Sequence, residues 1–146
     1  MKTNLISIQA ISLGSRVESF QSALEISTGL LVSAGHANQS YVGRVLTSYK
    51  KLGPYFVVAP QIAIAHAAPG DDVFSPGLSL LKLDEGVASG VTEHDPVRLV
   101  FSLCTPDRHQ HIEMLGEFAR MMSDQEIVNS LLNASAESVI WEILNS

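Results

Sequence analysis

The chain has 146 residues, a mass of 15.7 kDa and a formal charge of −6. Hydrophobic residues make up 46% and charged residues 16%, which excludes a disordered chain and suits one domain with its own core. The acidic balance, with no basic run longer than Lys50-Lys51, argues against a nucleic-acid binder, and the single cysteine, Cys104, excludes an internal disulfide or a cysteine-based zinc site.

Residues 5–13 are mildly apolar but interrupted by Ser7, Gln9 and Ser12, with no small-residue cleavage site after them, so they do not read as a signal peptide. Ser15 and Glu18 have capping-box spacing and predict a helix start. Val17, Phe20, Leu24 and Leu31 continue it, and Gly35 suits its left-handed stop. A second helix is predicted from Asn38 through Tyr41, Val42, Val45, Leu46 and Tyr49 to Gly53. Residues 55–58 and 62–64 are short β-prone runs bounded by Pro54, Pro60 and the Pro69-Gly70 turn. The longest apolar stretch, 55–68, is too short and too broken to cross a membrane, which needs about 20 apolar residues.

Residues 78–83 partly alternate, as a half-buried strand does. Residues 97–103 are apolar except for Arg98 and predict a strand in the middle of a sheet. Thr105, Pro106 and Asp107, with Gln110 following, predict a third helix start. Ile112, Leu115, Phe118, Ala119 and Met122 form its apolar stripe. Ser123 and Glu126 predict a fourth helix start, and Ser135 is expected to cap the fifth. Two helices, a cluster of strands and three more helices indicate an α/β or α+β sandwich, one domain over residues 1–146.

Two of the five histidines occupy informative places. His66 sits where the second short strand runs out, and His111 lies early in the helix after the central strand. Ligands in open α/β sheets bind at the carboxyl ends of strands, and a helix N-terminus favours an anion. The pair therefore suggests a histidine that meets a phosphate or a carboxylate. Taken singly, His66 reads equally well as a core histidine bonded to a carbonyl, and His111 reads more readily as a helix-surface histidine than as a site residue. His109 and His111 are two apart and face different sides of a helix, which makes them poor co-ligands for a metal. Cys104 ends a strand near the same edge, where a buried thiol is the commoner outcome than a nucleophile. Asp71 and Asp72 read as a solvated turn before they read as a magnesium site. No nucleophile elbow, P-loop or Rossmann glycine pattern is present.

The run Gly53-Pro54-Tyr55-Phe56-Val57-Val58-Ala59-Pro60, followed by Ile62-Ala63-Ile64-Ala65-His66, resembles the enzyme IIA components of the bacterial phosphoenolpyruvate-dependent sugar phosphotransferase system. The similarity is to the mannitol–fructose superfamily, most of all its ascorbate-type branch. Tyr41-Val42, Pro76-Gly77-Leu78-Ser79-Leu80-Leu81, Asp95-Pro96-Val97-Arg98-Leu99-Val100-Phe101 and the block from His111-Ile112-Glu113 to Leu131 agree in order. The resemblance implies a mixed, mainly parallel β-sheet flanked by helices on both faces. It implies that His66 accepts a phosphoryl group from the histidine-containing phosphocarrier protein (HPr) and passes it to a cysteine of a cognate enzyme IIB. His111 matches the second active-site histidine, which stabilises the phosphoryl group; the ascorbate-type pattern also admits a slip toward His109 or Gln110.

The implied protein is a cytoplasmic phosphotransferase component that serves carbohydrate uptake, with ascorbate suggested by the branch. It works with an enzyme IIC complex at the membrane, needs no metal or small cofactor, and is compatible with a homodimer. The chain departs from the family at Ala65, where proline is usual, and at the end of the second helix. There Ser48-Tyr49-Lys50-Lys51 stands where some relatives carry an arginine, with Lys50 the candidate substitute. A regulatory or unphosphorylated binding module of the same fold is the alternative reading.

Overall fold

Alternate residues of the central strands face opposite helical layers, and both sets are apolar, which fixes the layering. The computed structural model describes residues 6–146; Leu5, at the head of the mildly apolar opening stretch, lies outside them with the rest of residues 1–5. Strand β1 is Ile11–Ser15, helix α1 Phe20–Ser33, α2 Gln39–Leu52, β2 Val57–Ala59 and β3 Ile62–Ala65. Then come β4 Gly77–Val87, β5 Val97–Cys104, α3 Arg108–Met122, α4 Gln125–Asn133 and α5 Glu137–Asn145.

The strands form one sheet in the order β1-β4-β5-β3-β2. Pairing is parallel for β1 with β4 and β3 with β5, and antiparallel for β4 with β5 and β2 with β3. The sheet is therefore mixed, as the resemblance implies. Ala63, Ala65, Leu81, Leu83 and Val100 pack with Leu24, Leu31, Tyr41 and Val45 of α1 and α2. Ile62, Ile64, Leu80, Leu99 and Phe101 pack with Met114, Phe118, Leu131 and Ile140 of α3–α5 on the other face. Phe101 and Phe118 meet edge to face, with ring centroids 4.9 Å apart. Among the described residues, no helix is long and apolar enough to cross a membrane.

Three predicted helix starts are displaced. Ser15 does not open a helix: it ends β1, whose residues pair with Leu80 to Leu83 of β4, and long-range pairing overrides the local capping spacing. Ser19 caps α1 instead, accepting from the Ser22 N–H at 3.1 Å. Ser123 belongs to the helix before it, donating its hydroxyl to the Ala119 carbonyl at 2.7 Å. The α4 cap is Asp124, an acidic acceptor suited to the positive end of the helix dipole. Helix α5 follows Ala136, which makes no side-chain cap, so Ser135 does not play that part.

A layer of small hydroxyls lets α1 lie close on the sheet. Ser27 Oγ donates to the Val100 carbonyl at 2.7 Å, and Ser79 Oγ donates to the Ser27 carbonyl at 2.7 Å. Ser102 Oγ is 2.9 Å from Ser27 Oγ and 3.0 Å from Thr28 Oγ1, and all four residues are buried. On the other face the buried Lys82 ammonium donates to the Ala134 carbonyl, where the end of α4 favours a cation. Ser102→Val crowds the layer and takes away the partner of the buried Thr28 hydroxyl, while Ser27 keeps its bond to the Val100 carbonyl. It is expected to lower stability by roughly 2–4 kcal/mol, read from the urea unfolding midpoint.

Candidate functional site

Because β3 and β5 run parallel, with Ala65 opposite Ser102, their carboxyl ends leave the sheet at the same edge. His66 is the next residue after β3, and Thr105 the next after β5. Asp107 then caps α3 by accepting from the Gln110 N–H at 2.8 Å, which places His111 in the opening turns of that helix. The two imidazole rings meet with centroids 5.7 Å apart. The sheet's register thus brings together two histidines far apart in the chain.

His66 Nδ1 lies 3.1 Å from the Ile64 carbonyl oxygen. A carbonyl only accepts, so Nδ1 carries the proton and Nε2 keeps its lone pair. The ring stands against Phe56 and Tyr55, at centroid distances of 5.4 and 6.2 Å. Burial pushes the His66 pKa below its ordinary value, outweighing the Ile64 carbonyl, which acts the other way. His111 Nδ1 is 3.1 Å from the hydroxyl of buried Thr105. Burial first, and then the charge of His66, also lowers the His111 pKa. Both rings are therefore neutral near neutral pH.

Tyr41 of α2 fixes the strand ends. Its buried hydroxyl donates to the Leu103 carbonyl at 2.6 Å and accepts from the Ala67 N–H at 2.9 Å. One atom thereby joins the end of β5 to the residue after His66. Beyond that residue, Asp72 is gripped by Arg44 through two bonds of 2.8 and 2.6 Å, and by the Ser40 hydroxyl at 2.9 Å. The Arg44 guanidinium, with help from Ser40, holds the Asp72 carboxyl below the usual carboxylate range. Arg44 also lies over the Tyr41 ring, 5.2 Å from its centroid. These residues were not singled out for function in the sequence. The available signal was the three-residue spacing of Tyr41 and Arg44, which puts both on one helix face.

The other candidates separate from this pair. His109 is exposed and pairs with Glu113 at 3.1 Å, so it is His111 that meets His66. Cys104 is buried with its thiol directed to the Ser75 carbonyl at 3.7 Å, and burial pushes its pKa up to about 12, which withholds the thiolate. Asp72 is committed to Arg44, while Asp71 is exposed. Lys50 is exposed in the last turn of α2, whereas Arg44 lines a cavity with Ala67 and Ala68, the residues that follow His66. Ala65, where the resemblance leads one to expect proline, is a buried strand residue that carries the β3–β5 pairing up to the histidine.

An apolar groove of about 300 Å³ opens beside His66, between Val58, Ala59 and Ile64 on the sheet side and Leu115, Phe118 and Met122 on α3. Val58 of its lining exposes 51% of its surface, and Tyr55, against the His66 ring, 42%.

A three-layer domain with a histidine pair at the sheet's carboxyl edge is what the resemblance to a phosphotransferase-system enzyme IIA implies. Residues 4–146 match the family described as "Phosphoenolpyruvate-dependent sugar phosphotransferase system, EIIA 2", and the chain belongs to that family. It is a phosphotransferase component of that system. The mannitol-specific cryptic phosphotransferase enzyme IIA component of Escherichia coli K12 is 27% identical over 136 residues, covering 93% of this chain and 92% of the relative. A solution structure of the Escherichia coli cryptic mannitol enzyme IIA superposes with a TM-score of 0.86 at 26% identity, covering 98% of this chain and 97% of the other. The ascorbate-specific EIIA component of Escherichia coli K12 is 26% identical over 146 residues, covering 99% and 95%. The fold is also that of the Escherichia coli mannitol enzyme IIA in a complex with phosphorylated mannitol enzyme IIB. There the TM-score is 0.82 at 23% identity, covering 96% of this chain and 98% of that one.

Tyr41→Phe removes the acceptor of the Ala67 N–H and the donor to Leu103. It is expected to lower stability by about 1–3 kcal/mol and to speed hydrogen exchange at the Ala67 amide, both readable in one exchange experiment.

Proposed function

We propose that His66 is the phosphoryl acceptor of this chain and His111 the group that stabilises the phosphoryl oxygens. The observation that carries the reading is the Nδ1–H bond to Ile64, which leaves Nε2 of a neutral ring free beside a second histidine. The donor is the phosphohistidine of HPr. The Nε2 lone pair forms the new N–P bond as the donor's N–P bond breaks, and that electron pair stays on the donor nitrogen. The phosphorylated ring gains positive charge, which the Ile64 carbonyl shares through Nδ1–H. In the second transfer a thiolate of a cognate enzyme IIB attacks phosphorus, and the N–P pair returns to His66 Nε2. Such transfers depend on in-line placement and charge stabilisation.

The groove and its exposed rim support docking of these carriers, because a covering protein surface excludes water from the phosphoryl group. The Escherichia coli complex of a mannitol enzyme IIA with phosphorylated enzyme IIB supports a cognate enzyme IIB as the partner by analogy. We place the step in the cytoplasm, with an enzyme IIC complex at the membrane as the end of the relay and residues 1–146 acting as one domain. The carbohydrate is ascorbate-like, by the run from Gly53 to Pro60.

Incubation with phosphoenolpyruvate, enzyme I and HPr should add the mass of one acid-labile phosphoryl group to the wild type and none to His66→Ala. A wild type that gains no mass, while a working enzyme IIA does in the same tube, would leave an unphosphorylated binding module as the reading. Acid sensitivity gives a second check. With its pKa held below the ordinary histidine value by burial, His66 stays a neutral acceptor to lower pH than a free imidazole does, and loses activity as the pH falls through that lowered pKa. An NMR titration of His66 with a midpoint above 6.5 would contradict this.

A further inference from the structure

The Thr105 hydroxyl is almost wholly buried, with 1% of the residue exposed. Among the described residues, the only hydrogen-bond partner of that hydroxyl is His111 Nδ1, 3.1 Å away. A hydroxyl carries one hydrogen, and a buried hydrogen without an acceptor is disfavoured. A neutral imidazole has one protonated nitrogen and one acceptor nitrogen. Two arrangements are open: the hydroxyl donates to Nδ1, or Nδ1–H donates to the hydroxyl and leaves the hydroxyl hydrogen stranded. Only the first satisfies both groups.

We propose that Thr105 is a positioning residue that sets the tautomer of His111, holding the proton on Nε2 so that this ring enters the site as a hydrogen-bond donor. The inference rests on the reading that His66 carries the phosphoryl group, and it assigns the origin of the donor that faces it. The two histidines then have opposite tautomers by construction. His66 has Nδ1–H tied to Ile64 and a bare Nε2; His111 has a bare Nδ1 tied to Thr105 and an Nε2–H. The first presents a lone pair for phosphorus, and the second presents a proton for the phosphoryl oxygens. Thr105 immediately follows β5, beyond the Leu103 carbonyl that Tyr41 holds, so its backbone is fixed from the strand side. His111 is fixed from the helix side by its own N–H, which donates to the Asp107 carbonyl at 3.2 Å.

The test reads nitrogen-15 shifts and two-bond couplings of the imidazoles in the unphosphorylated protein, above the pH at which either ring titrates. The wild type should show His111 protonated on Nε2. Thr105→Val keeps the shape and removes the hydroxyl; it should shift His111 toward an Nδ1–H or mixed pattern and shorten the lifetime of phosphorylated His66 roughly threefold to tenfold. Thr105→Ser restores the hydroxyl and should restore both. A wild type with His111 protonated on Nδ1 overturns the assignment without any variant. So does a folded Thr105→Val protein whose His111 pattern matches the wild type. The spectrum does not depend on phosphorylation. A wild type that never labels on His66 overturns the relay itself, whereas an Nδ1–H His111 in a protein that labels normally overturns the role of Thr105 alone.

Discussion

A single buried hydroxyl, that of Tyr41, holds the site's framework. It accepts the Ala67 N–H, two residues beyond β3, and gives its proton to the Leu103 carbonyl near the end of β5. Buried backbone groups at strand ends need partners, and at a sheet edge the next strand is not there to supply them. A tyrosine from α2 supplies both, so the ends of two parallel strands are set relative to each other and to the helix layer. His66 departs from one of those ends and the segment carrying Thr105 from the other. The spacing of the two imidazoles is thus a property of the sheet more than of the loops.

The two rings show how one residue type can serve two purposes. Each has its Nδ1 engaged by the protein, yet the partners differ in kind. A carbonyl can only accept, and a hydroxyl can donate. The choice of partner decides which face of the proton ledger each Nε2 presents. Burial keeps both rings neutral, and a neutral pair avoids the repulsion that two imidazolium groups would suffer at this distance.

Much of this was legible in the chain. Strand β5 was readable because its nearly unbroken apolar run is that of a strand in mid-sheet. The stripe of α3 was readable only in part: Phe118 is buried and Leu115 half-buried, but Ile112 and Ala119 are exposed, and Met114 is the buried residue the stripe left out. His66 and His111 stood out because each follows a strand that such a pattern defines. Strand β1 was not readable: it is a five-residue edge strand containing Ser12, Gly14 and Ser15, and only its distant pairing with β4 makes it a strand. The displaced caps have a different cause. Where serine and aspartate stand side by side, as at Ser123-Asp124, spacing does not say which will accept, and the preceding helix claims the serine. Thr105, Tyr41 and the Arg44–Asp72 pair were hidden because their partners are set by register and by helix placement, and no local pattern encodes those.

The location of sulfur in the molecule has a consequence for oxidative stress. The one thiol is sealed behind the sheet and held as a thiol, so peroxide finds no thiolate there to attack. Met122, in contrast, lines the groove beside His66. Conversion of its thioether to a sulfoxide would place a polar, chiral group in an apolar lining. An oxidant could therefore spoil the surface that a carrier must cover while leaving the histidines chemically intact, and the damage would be of a kind that methionine sulfoxide reductases reverse.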